Sequence, residues 1–191
     1  MKYLVFGLMF LALFALTSVI LADEPQITLT GRAFIPVVAE SGKITERFFA
    51  FAPIEVIDLG TGQVVAEGGT KVNGRYSVGV EDPGLYLVQI KKGNRVILDI
   101  SPRIRRENKV YDLGYAGARS TALALVLLNL SRGKKDPTSI VIYKTPLVLR
   151  SERFKDLENL VRKTLAQGEN IWENREIQEF VETIASPLRE S

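Results

Sequence analysis

The sequence contains neither cysteine nor histidine among its 191 residues. Without cysteine there is no disulfide framework and no lipid-modified cysteine behind an export signal. Without histidine the Ser-His-Asp and Cys-His catalytic arrangements are excluded, as are most zinc sites. A hydrolase built from this chain would have to use paired carboxylates, for which no spacing singles out a pair. The candidates for such a pair are Asp58, Glu67, Asp82 and Asp99.

The chain also lacks a strong charge of either sign, because 25 basic residues stand against 22 acidic ones. The net charge is +3, and removal of residues 1–22 would take away only Lys2. This balance does not favour nucleic acid as a partner. A membrane partner is expected only if residues 1–22 are retained. No cofactor or metal site is predicted, since the Glu81-Asp82 pair offers too few oxygen ligands for calcium.

Residues 1–22 form an apolar segment with one positive charge, at Lys2, near its start. Ala22 precedes a polar sequence and is a plausible cleavage point, although Ile20 is large for its position. The uncharged run is also long enough to cross a bilayer as a retained anchor. Both interpretations, signal peptide or N-terminal anchor, predict export of the remaining chain. We expect it to be periplasmic, at the cell surface or secreted, or else membrane-anchored and facing outside.

Short apolar segments alternate with turn residues through residues 53–100. Asn73-Gly74 predicts a two-residue hairpin, and Asp82-Pro83-Gly84 and Lys92-Gly93-Asn94 predict further turns. Strands are also predicted over residues 26–38 and over residues 47–59, where Pro53 requires an edge position, a bulge or a break. This pattern predicts an antiparallel β-sandwich of about seven strands over residues 26–116.

Residues 117–191 predict a helical C-terminal portion, so that the fold class is α+β. Residues 120–130 are apolar on all sides, which indicates a buried helix with Ser120 or Thr121 as its N-cap. Residues 140–149 are predicted to be extended. Two amphipathic helices follow, the first ended by Gly168 and the second by Pro187. We expect them to form a hairpin that packs on the apolar helix or on the sandwich, with Trp172 at the joint. Their apolar stripes are Phe154, Leu157, Val161 and Leu165, and Ile177, Phe180, Val181 and Ile184.

Three segments of the sandwich region together resemble the carboxypeptidase regulatory-like domain, a transthyretin-like or prealbumin-like β-sandwich. They are G-T-G-Q-V-V-A at residues 60–66, T-K-V-N-G-R-Y-S-V at residues 70–78 and P-G-L-Y-L-V-Q-I at residues 83–90. The resemblance covers about residues 27–100. It implies a non-catalytic structural or adhesive module of exported and envelope proteins. The purine-related hydrolysis found in one branch of the broader fold uses histidines, which this chain lacks.

Two clusters are candidate contact sites for a partner or ligand. Phe48, Phe49 and Phe51 could stack on sugar rings or anchor a protein, although aromatic residues in strands usually belong to the core. Arg103, Arg105 and Arg106 could bind an anion, although such a loop is more often only solvated. We expect a non-enzymatic module that binds another envelope protein. The alternatives are a carbohydrate-binding accessory module that recognises a surface glycan and a carboxylate-based hydrolase.

Overall fold

The computed structural model of the chain describes residues 27–105 and 109–189, which form eight strands followed by four helices. The prediction for residues 1–22 concerns a segment outside the described residues and stays a prediction. The strands are β1 (Ile27–Val38), β2 (Ile44–Phe48), β3 (Pro53–Asp58), β4 (Val64–Gly69), β5 (Arg75–Val80), β6 (Tyr86–Lys92), β7 (Arg95–Ile100) and β8 (Val110–Ala116). The helices are α1 (Ala118–Ser131), α2 (Pro137–Arg150), α3 (Phe154–Gln167) and α4 (Arg175–Arg189).

The strands form two sheets, and the long strand β1 organises the first of them. The first half of β1 pairs antiparallel with β5 and parallel with β8, and its second half pairs antiparallel with β2. The second sheet is antiparallel, in the order β4-β3-β6-β7. The predicted α+β sandwich with C-terminal helices is confirmed. The parallel strand β8 was not predicted, because its register against β1 is interrupted and Gly114 within it adopts a left-handed φ of 76°.

The sandwich core consists of alternate residues contributed by both sheets. Leu29 and Val78 are paired across β1 and β5, and Val56 and Val88 across β3 and β6. All four side chains are buried. Because neighbouring strand residues face opposite sides, this alternation leaves the intervening residues on the outer face of each sheet.

A turn forms at Asn73-Gly74, but the prediction of a hairpin there was wrong, because the turn does not join two paired strands. Gly74 adopts a left-handed φ of 72° and its N–H donates to the Lys71 carbonyl at 2.9 Å. The strand before the turn, β4, belongs to the second sheet, and the strand after it, β5, belongs to the first. The turn is therefore a crossing between the two sheets rather than a hairpin.

Helix α1 protects the free edge of strand β7. The Leu98 N–H donates to Thr121 Oγ1 at 3.0 Å, and Ser120 Oγ donates to the Leu98 carbonyl at 2.8 Å. These hydroxyls thus satisfy edge groups that could otherwise pair with another chain. The prediction that Ser120 or Thr121 is the N-cap was wrong, since the helix begins at Ala118 after Gly117.

Helix α2 occupies the segment predicted to be extended, so that prediction was wrong. Its β-branched and aromatic residues favour a strand, but the start signal of a helix precedes them. Asp136 caps the helix by accepting from the N–H groups of Thr138 and Ser139, and Pro137 occupies the first turn. The Ser139 side-chain hydroxyl also donates to Asp136. These hydrogen bonds hold the pKa of Asp136 below its usual range, and the one from the Ser139 side chain has the largest effect.

Helices α3 and α4 contact each other and helix α1, and α3 also lies against β1. Their predicted apolar stripes are turned inward, with Leu157, Val161 and Ile177 fully buried. Gly168 ends α3 in a left-handed conformation, as predicted. Pro187 lies inside the last turns of α4 instead of ending it. Trp172, which was expected at the joint, lies in the connection between α3 and α4 and is 42% exposed.

Candidate binding face on the first sheet

The outer face of the first sheet carries aromatic and basic side chains from four strands. Arg32 on β1 is paired with Arg75 on β5 and with Tyr115 on β8. Two residues further along β1, Phe34 is paired with Phe48 on β2. Because directly paired residues share one side of a sheet, these five side chains form one surface, here called the aromatic–basic face.

Four side chains of the aromatic–basic face, those of Arg32, Phe34, Phe48 and Tyr115, contact one another. The ring of Phe34 lies 5.4 Å from that of Phe48 and 5.5 Å from that of Tyr115, measured between centroids. The guanidinium carbon of Arg32 lies 5.5 Å from the centroid of the Phe48 ring, within the range of a cation–π interaction. Tyr115 is nevertheless 72% exposed and Phe48 is 47% exposed. The face is thus ordered by its own contacts and remains open to solvent.

A buried threonine holds the turn that follows Phe48. Thr70 Oγ1 donates to the Phe49 carbonyl at 2.5 Å and accepts from the Ala52 N–H at 2.9 Å. This turn separates β2 from β3, so the long strand predicted over residues 47–59 is two strands, with Pro53 at the start of the second. The break at Pro53 agrees with the inability of proline to donate to a ladder.

The three phenylalanines of the predicted aromatic cluster therefore have three different environments. Phe48 is on the aromatic–basic face. Phe49 is buried in the core at 4% exposure, so its ring is not available to a ligand at the surface. Phe51 is 68% exposed and has a left-handed φ of 53°, which an aromatic residue rarely adopts. Phe49 and Phe51 lie in the turn between β2 and β3 rather than in a strand.

A cleft of about 500 Å³ opens next to the aromatic side chains. The crossing turn places Lys71 and Arg75 on its wall, and the hydrogen bond from the Lys71 N–H to the Arg75 carbonyl at 2.7 Å fixes their backbone geometry. Strand β8 provides Asp112 and Tyr115 on the opposite side. The complete lining is Thr30, Gly31, Arg32, Lys71, Arg75, Tyr76, Ser77, Asp112, Gly114 and Tyr115.

The cleft has an excess of positive charge that its own residues do not neutralise. In the part of the chain that the structure describes, Arg32, Lys71 and Arg75 form no ion pair. Its one lining carboxylate, Asp112, accepts from the Gly114 N–H at 2.9 Å. Arg32 and Arg75 are directly opposite each other, an arrangement of like charges that destabilises an antiparallel pair. An anion placed between them would relieve this repulsion.

The floor of the cleft is formed where Tyr76 crosses Gly31. The phenol fills the space of the missing side chain, because a Cβ at position 31 would overlap Tyr76 Oη. Among the described residues this hydroxyl has no hydrogen-bond partner. Burial, and then the charges of Asp99 and Asp112, raise the pKa of Tyr76, so it stays a neutral donor. Because residue 31 is a glycine, the Tyr76 hydroxyl can lie directly beside the backbone of β1.

Asp99 is the carboxylate most altered by its surroundings. Burial raises the pKa of Asp99 from 3.8 to about 7, although a hydrogen bond from the Ile100 backbone acts in the opposite direction. Its Oδ2 atom has no partner among the described residues. Asp99 does not line the cleft, and the main cause of its raised pKa is burial. A raised pKa can mark a catalytic acid, but carboxylate hydrolysis also needs a second carboxylate, so the hydrolase alternative stays a prediction.

The other predicted carboxylates have structural surroundings. Asp58 Oδ1 accepts from the Thr61 N–H at 2.7 Å and closes the turn after β3. Glu67 is opposite Glu55 in the second sheet. Asp82 lies near Tyr86, whose hydroxyl donates to the Asp82 carbonyl. In residues 27–105 and 109–189, no three acidic side chains come together in a way that would hold a metal ion.

The described arginines of the predicted basic loop, Arg103 and Arg105, do not line the cleft. Arg103 and Arg105 are exposed, and the backbone of Arg105 is tied to Tyr111, whose hydroxyl accepts from its N–H at 2.7 Å and donates to its carbonyl at 2.9 Å. Arg106 lies outside the described residues. The anion-binding role proposed for these arginines remains a prediction.

Sequence reasoning did not identify the residues that complete the site around Phe48. The alternation in β5 placed Arg75 on the side opposite Tyr76, which was a usable signal for an outward basic residue. Arg32, Phe34 and Tyr115 could not be joined to it, because their proximity depends on the register of β1 with β8. A parallel pairing between strands so far apart in the chain leaves no local pattern in the sequence.

No family model matches the chain, and no curated protein matches it. Among solved structures, a 9R-lipoxygenase from Cyanothece PCC8801 is similar to 49% of this chain over 16% of its own length, with 17% identity and a TM-score of 0.32. The major plantain pollen allergen Pla l 1 is similar over 48% of this chain and 91% of its own, with 13% identity and a TM-score of 0.37. The shaft pilin spaA from Lactobacillus rhamnosus GG is similar over 48% of each chain, with 8% identity and a TM-score of 0.31. The chain thus spans about a sixth of the first of these proteins and half of the pilin.

Proposed function

We propose that this protein is an exported, non-catalytic module of the cell envelope or periplasm that acts through protein–protein contacts. The observation that carries the proposal is the aromatic–basic face, an ordered and exposed group of three aromatic rings and two arginines. Aromatic residues and arginine are the side chains most enriched where proteins bind one another. The apolar N-terminal sequence supports the exported location.

The resemblance to the carboxypeptidase regulatory-like domain supports the same assignment. Its turn motif corresponds to Thr70, Asn73 and Gly74, whose contacts order both the Phe48 turn and the wall of the cleft. We propose that the sandwich belongs to this family. Over the described residues, none of the helices is both long enough and apolar enough to span a bilayer.

Site-specific photo-crosslinking in the producing cells tests the proposal, because the chain offers a matched pair of tyrosines. Tyr115 on the aromatic–basic face is 72% exposed and Tyr143 on helix α2 is 71% exposed. A photoreactive phenylalanine analogue is placed at one position or the other, and adducts are identified by mass spectrometry. We expect a specific envelope protein to be captured from position 115 and not from position 143. Capture from neither position, or equal capture of the same proteins from both, would contradict the proposal.

Carbohydrate binding is the second candidate, favoured by the exposed rings of Phe48 and Tyr115. An exposed aromatic ring presents an apolar face on which a sugar ring could stack. A glycan array separates the two functions. Binding of one glycan class that is lost in Phe48→Ala and unaffected by Phe51→Ala would favour the carbohydrate function over protein binding.

A further inference from the structure

The cleft beside the aromatic–basic face has a charge pattern that defines the chemistry of its ligand. Three cations, Arg32, Lys71 and Arg75, line it without an ion pair from any described residue. The direct opposition of Arg32 and Arg75 is unfavourable in the free protein and becomes favourable when a carboxylate is shared between them. The ligand must therefore supply at least one anionic group.

Asp112 makes the cleft a better match for a ligand with an isolated carboxylate than for a dense polyanion. Its carboxylate lies on the β8 side of the cleft and would repel a chain of phosphate or sulfate groups. It can instead accept a hydrogen bond from a peptide N–H, as its Oδ1 already does with Gly114. Thr30, Ser77 and the Tyr76 hydroxyl, which has no partner among the described residues, add further polar groups around the cleft. A ligand with alternating donors, acceptors and an occasional carboxylate matches this lining.

The aromatic rings add a second requirement. Tyr115 belongs both to the lining of the cleft and to the ring cluster with Phe34 and Phe48. A ligand that occupies the cleft therefore meets an apolar surface directly beside the cations. An extended peptide meets both conditions when an acidic side chain is followed by an aliphatic or aromatic one. The volume of about 500 Å³ lies within the range of ligand pockets.

We propose that the cleft lined by Arg32, Lys71, Arg75 and Tyr115 binds an acidic segment of a partner protein that also carries an apolar side chain. The inference rests on the proposed protein-binding function and names the chemistry of the partner. The carboxylate lies between Arg32 and Arg75, and the apolar side chain packs on Tyr115 and Phe48.

Selection from a phage library of short random peptides tests the proposal with the purified protein as target. We expect the selected peptides to be enriched in Asp and Glu next to an aliphatic or aromatic residue. Peptides without an acidic excess, or no enrichment at all, would overturn the proposal. Heparin is tested in parallel: if it binds in a manner that depends on Arg75 while no acidic peptide is selected, the cleft recognises a sulfated glycan and the proposal is wrong.

Charge reversal locates the binding of a selected peptide. Arg75→Glu removes the opposition of like charges, so the variant should fold at least as well as the wild type, as thermal melting would show. It should weaken binding of a selected peptide by about tenfold or more, because a charge-assisted pair becomes a repulsive one. Lys134→Glu, in the exposed loop after α1, makes the same change in net charge and should leave affinity unchanged. Equal weakening by both variants would overturn the proposal.

This inference and the proposed function can fail separately. If crosslinking from position 115 captures a partner but no acidic peptide depends on Arg75, only the ligand chemistry is wrong. If acidic peptides bind the cleft while no protein is captured in cells, the cleft assignment stands and the cellular function is wrong.

Discussion

The two faces of the first sheet are built from the same strands and serve opposite purposes. On the inner face Leu29, Val78 and Val80 are nearly inaccessible and pack into the sandwich core. On the outer face, paired positions carry Arg32, Arg75 and Tyr115, which line the cleft. The residues of the inner face are needed for the stability of the fold, whereas those of the outer face can contact a partner. Predictions that separate stability from binding test this division.

The largest expected effect concerns the packing of the C-terminal helices against α1 and β1. Truncation after Leu149 removes α3 and α4 and exposes the surfaces of α1 and β1 that they cover. Since fully buried side chains such as Leu157, Val161 and Ile177 are lost together, we expect no cooperative folding at ordinary temperature. Circular dichroism during heating measures this. A soluble truncated protein with an unchanged melting temperature would show that the helices are an independent attachment.

The next effect concerns the buried Asp99 and depends on pH. Burial raises the pKa of Asp99 from 3.8 in ordinary surroundings to about 7 in the folded protein. Between these values the unfolded chain releases its proton and the folded protein retains it, so the free energy of unfolding falls as pH rises. The slope from this group is about 1.4 kcal/mol per pH unit. The stability that protonated Asp99 gives the folded protein at low pH is lost above pH about 7.

Asp99→Asn tests this slope with a neutral side chain of the same shape. We expect the variant to be more stable than the wild type at pH about 8 and to differ little from it at pH about 4. Urea unfolding at a series of pH values gives the difference, and the exposed Asp112→Asn is the control. A difference that is independent of pH would mean that Asp99 ionises normally in the folded protein.

The inner face could be predicted from the sequence more completely than the outer face. The short apolar segments over residues 53–100 predicted the strands that contribute Val78, Val80 and Val88 to the core, because the apolar residues of a core strand are visible in the local sequence. Helix α2 was missed because the Asp136 cap and Pro137 outweighed a strand-like composition. The aromatic–basic face depends on pairings between distant strands, so Phe48 was found and Arg32, Phe34 and Tyr115 were not. The sequence therefore predicted which strands contribute to the core better than it predicted which residues of distant strands lie side by side.

A moderate effect is expected at Thr70, which connects the fold to the site. Thr70→Val keeps the shape of the side chain but leaves the Phe49 carbonyl and the Ala52 N–H without their hydrogen bonds. We expect a loss of about 1–3 kcal/mol in the free energy of unfolding. Thr70→Ser restores a hydroxyl and should recover most of that loss. If both variants were as stable as the wild type, the hydroxyl would not be what orders the turn after Phe48.

The smallest effect on stability, and the sharpest division between the two faces, is expected at Tyr115. Its side chain is 72% exposed, so Tyr115→Ala should change the free energy of unfolding by only about 0.5 kcal/mol or less. The same substitution removes the ring that packs against Phe34 at the border of the cleft, so binding of an acidic peptide or of the crosslinked partner should be lost. Tyr143→Ala, at 71% exposure, is the matched control and should leave both stability and binding intact. Denaturant titration and fluorescence anisotropy of a labelled peptide measure the two quantities separately. If Tyr115→Ala weakened binding only in proportion to a large loss of stability, the outer face would be part of the fold rather than a surface for a partner.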